Sequence, residues 1–310
     1  MSPAPHRRFI LLAALSAIPV TASTQSVDRI VYASVIDRAG RPVTAVAAAD
    51  LIVRENKIDR VVLQVDRATE RFDIAVLVDT SQDADAFLPD FRRGLVEFVR
   101  AIGDRHEVAV MSFGGRPRVL VDYTHDPTAL QSGVGRLAVS RGSGAYLMDS
   151  LVDASLGLEI REHPRREVIV ITSEGREFSE RVSSEVVGEV QRSGVSVDAF
   201  VVVGTHQVVG PAFESGPPGL PSPAAAQEQS DVERAAALAD VIKLTNGRRE
   251  NLPTSRTLGE KLRELAVRLN TQYRVIYEGP PRLTPPASIE IVTRRPDLRV
   301  RVTGIPQNRP

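Results

Sequence analysis

Hydrophobic and polar positions along this chain follow two rhythms. Phe72-Asp-Ile-Ala-Val-Leu-Val78 and Val168-Ile-Val-Ile171 are apolar almost without a break, as strands buried on both faces are. After the first, Leu88, Phe91, Leu95, Phe98 and Ile102 recur at spacings of three and four, one face of a helix closed by Gly103. Val108–Phe113 and Val119–Val121 read as strands. Leu147, Leu151, Ala154 and Leu158 line a second helix, and Val182, Val186 and Val190 a third, stopped by Gly194. Val195–Val203 returns to strand. Helices follow over 231–245, stopped by Asn246-Gly247, and over 257–271, with Leu258, Leu262, Leu265 and Leu269 turned inward. Strands regularly separated by helices predict an α/β fold with a doubly wound, mostly parallel, Rossmann-like sheet over residues 70–272.

The flanks read differently. Residues 27–68 hold short strands at Ile30–Ile36, Leu51–Val53 and Val61–Val65, separated by turn signals such as Asp37-Arg-Ala-Gly40. Residues 273–305 hold Tyr273–Tyr277, Ser288–Val292 and Leu298–Val302, broken by prolines. A few short strands with one apolar face are marginal alone. The expectation is that segments 23–69 and 273–310 pair into one small β unit beside the α/β domain. Gly204–Ser230, rich in Pro and Gly, is expected to be a flexible loop leaving the end of a strand.

Composition narrows the function. Of 310 residues, 42% are hydrophobic and 25% charged, enough for a sizeable core. The 39 basic and 39 acidic residues cancel, which excludes a net-basic nucleic-acid binder. Cysteine is absent, so disulfides, cysteine–zinc sites and thiol catalysis are excluded. His6-Arg7-Arg8, an apolar run to Val20 and small residues up to Ala22 form the pattern of an export signal over residues 1–22. The run is too short for the ~20 residues that cross a bilayer, and no later segment is long and apolar enough. The expectation is a periplasmic or secreted chain with no membrane span after cleavage.

In open parallel sheets ligands bind beyond the carboxyl ends of the strands. The strand at 72–78 ends in Asp79-Thr-Ser81-Gln-Asp83, and that at 168–171 in Thr172-Ser-Glu174-Gly175. Arg141-Gly-Ser143-Gly-Ala145 lies between them in sequence, ahead of a helix. Acids and hydroxyls gathered on one rim are the ligand type of hard cations. The same residues have a plainer reading: Ser81 and Asp83 as helix caps, Asp79 and Glu174 as turn or loop acids, Ser143 as part of its turn.

Asp79-Thr-Ser81-Gln-Asp83 resembles the Asp-x-Ser-x-Ser loop of the von Willebrand factor type A domain. In that family the loop joins a distal threonine and aspartate in a metal-ion-dependent adhesion site. The order of parts over roughly 27–305 also resembles the VWFA-related Acidobacterial domain family, with Asp37–Val43 and Asp50–Asn56 as its lead-in and Tyr273–Tyr277 in its tail. The pattern departs in three places. Asp83 replaces the second serine, Ala145 stands where the threonine belongs, and Glu174 replaces the aspartate. The resemblance implies a non-catalytic, adhesion-type module that binds a protein partner. Its degenerate metal site draws on Asp79, Ser81, Asp83, Glu174 and Ser143, and Mg²⁺, Ca²⁺ or Mn²⁺ is bound weakly or not at all.

Enzyme signatures are sparse. The chain has no His-Glu-x-x-His, no phosphate-binding loop and no Gly-x-Ser-x-Gly elbow. The other readings are a metal-free structural or assembly protein of the cell envelope and, below it, a hydrolase whose triad assembles only in space.

Overall fold

A computed structural model describes residues 26–204, 223–281, 286 and 288–308. The export pattern at 1–22 lies outside these residues.

The α/β domain is built on six strands. These are β5 (Phe72–Val78), β6 (Glu107–Ser112), β7 (Arg118–Thr124), β8 (Arg165–Ser173), β9 (Ser196–Val202) and β10 (Arg249–Leu252). Their spatial order is β10-β9-β8-β5-β6-β7. All neighbours are parallel except β6 and β7, which are antiparallel. Counted from β5, this is the doubly wound order 3-2-1-4-5-6, which reverses beside β5. Every residue of β5 and β9 is buried, as the near-continuous apolar run of β5 predicts; in β9 the burial extends to Ser196 and Asp198.

Helices cover both faces. On one lie α1 (Leu88–Ile102), α2 (Pro127–Gly135) and α6 (Leu258–Asn270), packing Phe91, Leu95, Phe98, Leu262 and Leu265 onto Ile74, Ile169 and Phe200. On the other lie α3 (Leu147–Glu159), α4 (Ser183–Ser193) and α5 (Pro223–Leu244), packing Leu151, Val186, Val190 and Val241 onto Ala75, Leu77 and Val170. Helices α1 and α6 approach closely at Gly94, where a Cβ would stand 3.1 Å from Leu258. Gly103 ends α1 with φ +73°, a backbone that costs glycine little.

Two elements of the α/β domain fall outside the sequence reading. Helix α2 is short, but Asp126 caps it by accepting the Thr128 N–H at 2.8 Å, and Pro127 begins it. Strand β10 has only four residues, two of them charged, and carries no hydrophobic rhythm. One boundary is corrected. Helix α5 starts at Pro223, so 223–230 is helix rather than the end of a Pro/Gly-rich loop. An Ala- and Gln-rich opening favours helix once the prolines stop. Residues 205–222 of that segment lie outside the described residues.

The chain's two ends interleave. Strands β1 (Val27–Asp37), β4 (Val62–Arg67), β11 (Tyr273–Gly279) and β13 (Leu298–Asn308) form an antiparallel sheet ordered β13-β1-β11-β4. Strands β2 (Leu51–Glu55), β3 (Ile58–Arg60) and β12 (Ile289–Thr293) form a second, ordered β12-β2-β3. Val31, Val53, Val275, Tyr277, Ile291 and Val302 make one core shared by both sheets. Within it Arg29 and Glu55 form a buried ion pair at 2.5 Å. Gly279 leaves room for that arginine, since a Cβ there would lie 2.6 Å from its Cδ.

The β unit is tied to the α/β domain through Arg165. Its guanidinium donates to the carbonyls of Glu70 (2.7 Å) and Leu269 (2.9 Å) and to Gln272 Oε1 (2.9 Å). It also stacks on Phe72 and faces Tyr32 of β1. Burial pulls its pKa down to about 10, leaving it charged at neutral pH. No helix among the described residues is long and apolar enough to cross a membrane.

Candidate functional site

The carboxyl ends of β5 and β8, neighbours at the reversal of strand order, set the site. Strand β5 delivers Asp79, Thr80 and Ser81 into a turn in which all three are buried. Asp79 Oδ1 accepts the Ser81 N–H at 2.9 Å, and Asp79 Oδ2 accepts the Thr172 hydroxyl from β8 at 2.6 Å. Ser81 sits at the N-cap of a short 3-10 turn, Gln82–Phe87, but its hydroxyl makes no capping bond. The loop after β6 closes on this turn at Gly114, whose N–H donates to Thr80 Oγ1. A Cβ at Gly114 would fall 2.0 Å from the Thr80 carbonyl carbon, so only glycine fits.

The other candidate residues reach the same rim and are each engaged separately. Asp83 takes a fork from Arg176: Oδ2 accepts the backbone N–H (2.9 Å) and Nε–H (3.1 Å), and Oδ1 accepts Nη2–H (3.1 Å). That fork raises the guanidinium's pKa through the hydrogen bonds to Asp83. Glu174 Oε2 accepts the Gly204 N–H at 2.8 Å, just past β9. The Ser143 hydroxyl donates to the carbonyl of Gly144 at 3.2 Å, within its own turn. Ala145, at the threonine position, is buried and bridged to Glu177: its N–H donates to Arg176 O and its carbonyl accepts the Phe178 N–H, both at 2.7 Å.

Besides Arg176, two residues outside the sequence reading do most of the bonding. Arg234, on α5, reaches the rim with its side chain 8% exposed. Nη1 donates to Gly175 O (2.7 Å), and Nη2 to Thr172 Oγ1 (2.5 Å) and Ser173 O (2.9 Å). The same guanidinium lies 3.7 Å from Asp79 Oδ2 and 3.6 Å from Glu177 Oε2. Glu177 in turn accepts the N–H groups of Leu147 and Met148 at the start of α3, and that of Ser179. Burial raises the Glu177 carboxyl's pKa, with Arg234 opposing the shift. A signal for Arg234 stood in the sequence. At 234, 238 and 241 it shares the inward stripe of α5 with Leu238 and Val241, where a charge calls for a partner.

A hard cation needs several oxygens free to converge on one point, with Mg²⁺ demanding an octahedron. The predicted set does not fit that need. Asp79 is held by Thr172 and a backbone N–H, Asp83 by Arg176, and Glu174 by Gly204. Among the described residues no group of three or more His, Cys, Asp or Glu stands where it could hold a metal ion.

The strand order and the Asp79 loop at its reversal are now both in place. The fold is von Willebrand factor type A-like. The chain is similar to several solved structures. One is an aerotolerance-related membrane protein from Bacteroides fragilis (14% identity, 63% of this chain and 98% of that one, TM-score 0.46). A second is BatB from Bacteroides thetaiotaomicron (15% identity, 64% and 100%, TM-score 0.45). A third is a von Willebrand factor type A protein from Catenulispora acidiphila (12% identity, 92% and 74%, TM-score 0.46). These are distant likenesses. No family model and no curated protein matches the sequence. The narrower resemblance to the Acidobacterial branch therefore stands on sequence motifs alone.

Among the described residues, this type A-like rim offers charge without a reactive dyad. The three histidines among the described residues all lie at the opposite end of the sheet. His106 bonds the Phe72 N–H at the start of β5, His163 pairs with Asp73, and His125 with Glu107 at the start of β6. Ser81, Ser143 and Ser173 thus have no imidazole base from these residues.

Proposed function

We propose that the chain is an exported, non-catalytic module that binds a protein partner at the carboxyl-end rim, through an acidic patch on that partner and without a resident metal. One observation carries this reading. Arg116, Arg118 and Arg141 are exposed, and none of their side chains has a hydrogen bond or ion pair among the described residues, whereas Asp83 and Glu174 on the same rim are engaged from within. The two loops that carry Arg116 and Arg141 touch: a Cβ at Gly115 would lie 3.7 Å from Ser140 Oγ. Both loops anchor on the Asp79 turn, through Gly114 N–H to Thr80 Oγ1 and Ser140 N–H to Thr80 O. The result is a basic corner on a rigid base, suited to steer and seat carboxylates. In this degenerate adhesion-type site, arginine takes over the attraction for a partner's carboxylate that a bridging metal supplies in the family resembled. The export pattern at 1–22 supports an envelope or extracellular setting.

A fluorescently labelled deca-glutamate peptide, followed by anisotropy at low ionic strength, tests the reading. Binding should weaken about tenfold or more in the Arg116→Glu, Arg141→Glu double variant, roughly the loss of two exposed charge pairs plus the new repulsion. It should be unchanged by EDTA and by Arg263→Glu, an exposed arginine on α6 that pairs with Glu97. Equal binding by native and double variant would overturn the proposal, as would binding that needs a divalent cation.

A further inference from the structure

The oxygens around Arg234 make a cage. Thr172 Oγ1, Ser173 O and Gly175 O accept from the guanidinium at 2.5, 2.9 and 2.7 Å. Asp79 Oδ2 and Glu177 Oε2 stand at 3.7 and 3.6 Å. Five oxygens, two of them from carboxylates, thus surround one buried monocation, distributed over its Nε, Nη1 and Nη2. The adjoining Ser173 hydroxyl is buried with no hydrogen-bond partner. A cavity of about 340 Å³ lined by Thr172, Ser173, Asp231 and Arg234 opens beside the cluster. Three elements contribute the oxygens (the end of β5, the end of β8 and the loop after it), and a fourth, α5, supplies only the cation.

We propose that this cluster is a cation site closed by the chain's own guanidinium, and that removing that charge converts it into a Ca²⁺ site. The set of ligand types argues for it: carboxylates, a hydroxyl and backbone carbonyls are the groups that bind Ca²⁺, which accepts six to eight oxygens in flexible geometry. Mg²⁺ is the poorer fit, because two carbonyls fixed by backbone cannot be drawn into a tight octahedron. Charge argues the same way. Two carboxylates against one guanidinium leave an excess negative charge that a divalent ion would balance. With residue 234 shortened, the vacated volume joins the neighbouring cavity, through which water could complete the shell. This cage differs from the predicted metal set. It shares Asp79 with it, has Glu177, Thr172 and the carbonyls of Ser173 and Gly175 in place of Ser81, Asp83, Glu174 and Ser143, and does not depend on what the rim binds.

The test compares native chain, Arg234→Ser and Arg234→Lys, each titrated with CaCl₂ by calorimetry and melted in CaCl₂ or EDTA. Native chain and Arg234→Lys, which keep a cation in the cage, should show no calcium heat and no calcium-dependent shift in melting temperature. Arg234→Ser should melt lower in EDTA and recover in millimolar Ca²⁺, with a dissociation constant of order 10⁻⁴ to 10⁻³ M, as for weak calcium modules. Adding Glu177→Gln should weaken that binding about tenfold or more, as loss of one of two carboxylate ligands does. If Arg234→Ser folds only when calcium is present, the proposal stands. If it is indifferent to calcium, or unfolded with and without it, the proposal fails. Calcium binding by the native chain would also overturn it.

Discussion

Truncation after Gln272 should leave the protein insoluble or unfolded. The deleted residues supply β11, β12 and β13, three of the seven strands of the β unit. Strand β1 lies between β11 and β13 and would lose both neighbours, and β2 would lose β12. Val275, Ile276, Tyr277, Ile289, Ile291, Leu298 and Val302 leave with them, all buried. At about 1.5–3 kcal/mol for each large apolar side chain, the loss is comparable to the whole stability of a domain, roughly 5–15 kcal/mol. The remaining chain would expose Val31, Ala33, Leu51 and Val53 beside unpaired edges, which favours aggregation. Solubility and thermal melting of the truncated chain decide the matter. A soluble product with an unchanged melting temperature would show that the tail is independent of the rest.

The second large effect is acid sensitivity through His106. The ring is fully buried, with Nδ1 accepting the Phe72 N–H at 3.1 Å and Nε2 standing 2.8 Å from Asn270 Oδ1. A neutral imidazole with its proton on Nε2 satisfies both bonds. Protonating Nδ1 would set it against the Phe72 N–H. Burial pushes the pKa down to about 4, with Asn270 opposing and Arg165, Arg105 and Arg71 adding to the fall. The folded pKa is thus below the ordinary value of 6.5, so the unfolded chain binds the proton first. The contribution is fully present above pH 6.5 and is lost as pH falls toward 4; at 1.36 kcal/mol per unit it amounts to about 3 kcal/mol. His106→Gln keeps one acceptor and one donor and cannot titrate. Denaturant unfolding of both proteins across that range should show a steeper acid loss for the native chain. Parallel pH profiles would refute the assignment. The difference between the two also removes the opposite contribution of Glu167, whose pKa is raised by burial and by Asp198 beside it, and which therefore favours folding more as pH falls.

How much of this could be read from the chain follows from the physics of each element. Strand β5 spans the residues its apolar run predicts, and α1, α3 and α6 match their three-and-four rhythms to within a residue or so, because burial fixes both patterns. Strand β10 and helix α2 had no such rhythm: one is four residues at a sheet edge, the other a nine-residue turn marked only by Asp126-Pro127. The unit made from both ends was legible from strand character, but its division into two sheets was not, since short strands do not announce their partners. At the rim, the loops and their order were readable, and Asp79, Ser81, Asp83, Glu174 and Ser143 do lie on them. Their partners were not readable, because Arg176, Glu177 and Arg234 are brought in by tertiary packing. The charge of Arg234 on an apolar stripe was the available clue.

The carboxylates of Asp79, Asp83 and Glu174 are each engaged from within, and the proposed mode of binding needs no resident cation. The most direct measurement is the melting temperature of the native full chain in millimolar MgCl₂, CaCl₂ or MnCl₂ against EDTA. A cation at a hundred times its dissociation constant would add about 2.7 kcal/mol and visibly raise the transition. The arrangement of Arg234, Arg176 and Gly204 around Asp79, Asp83 and Glu174 predicts the same melting temperature in all four conditions. A rise with Mg²⁺ that disappears in Asp79→Ala would contradict it.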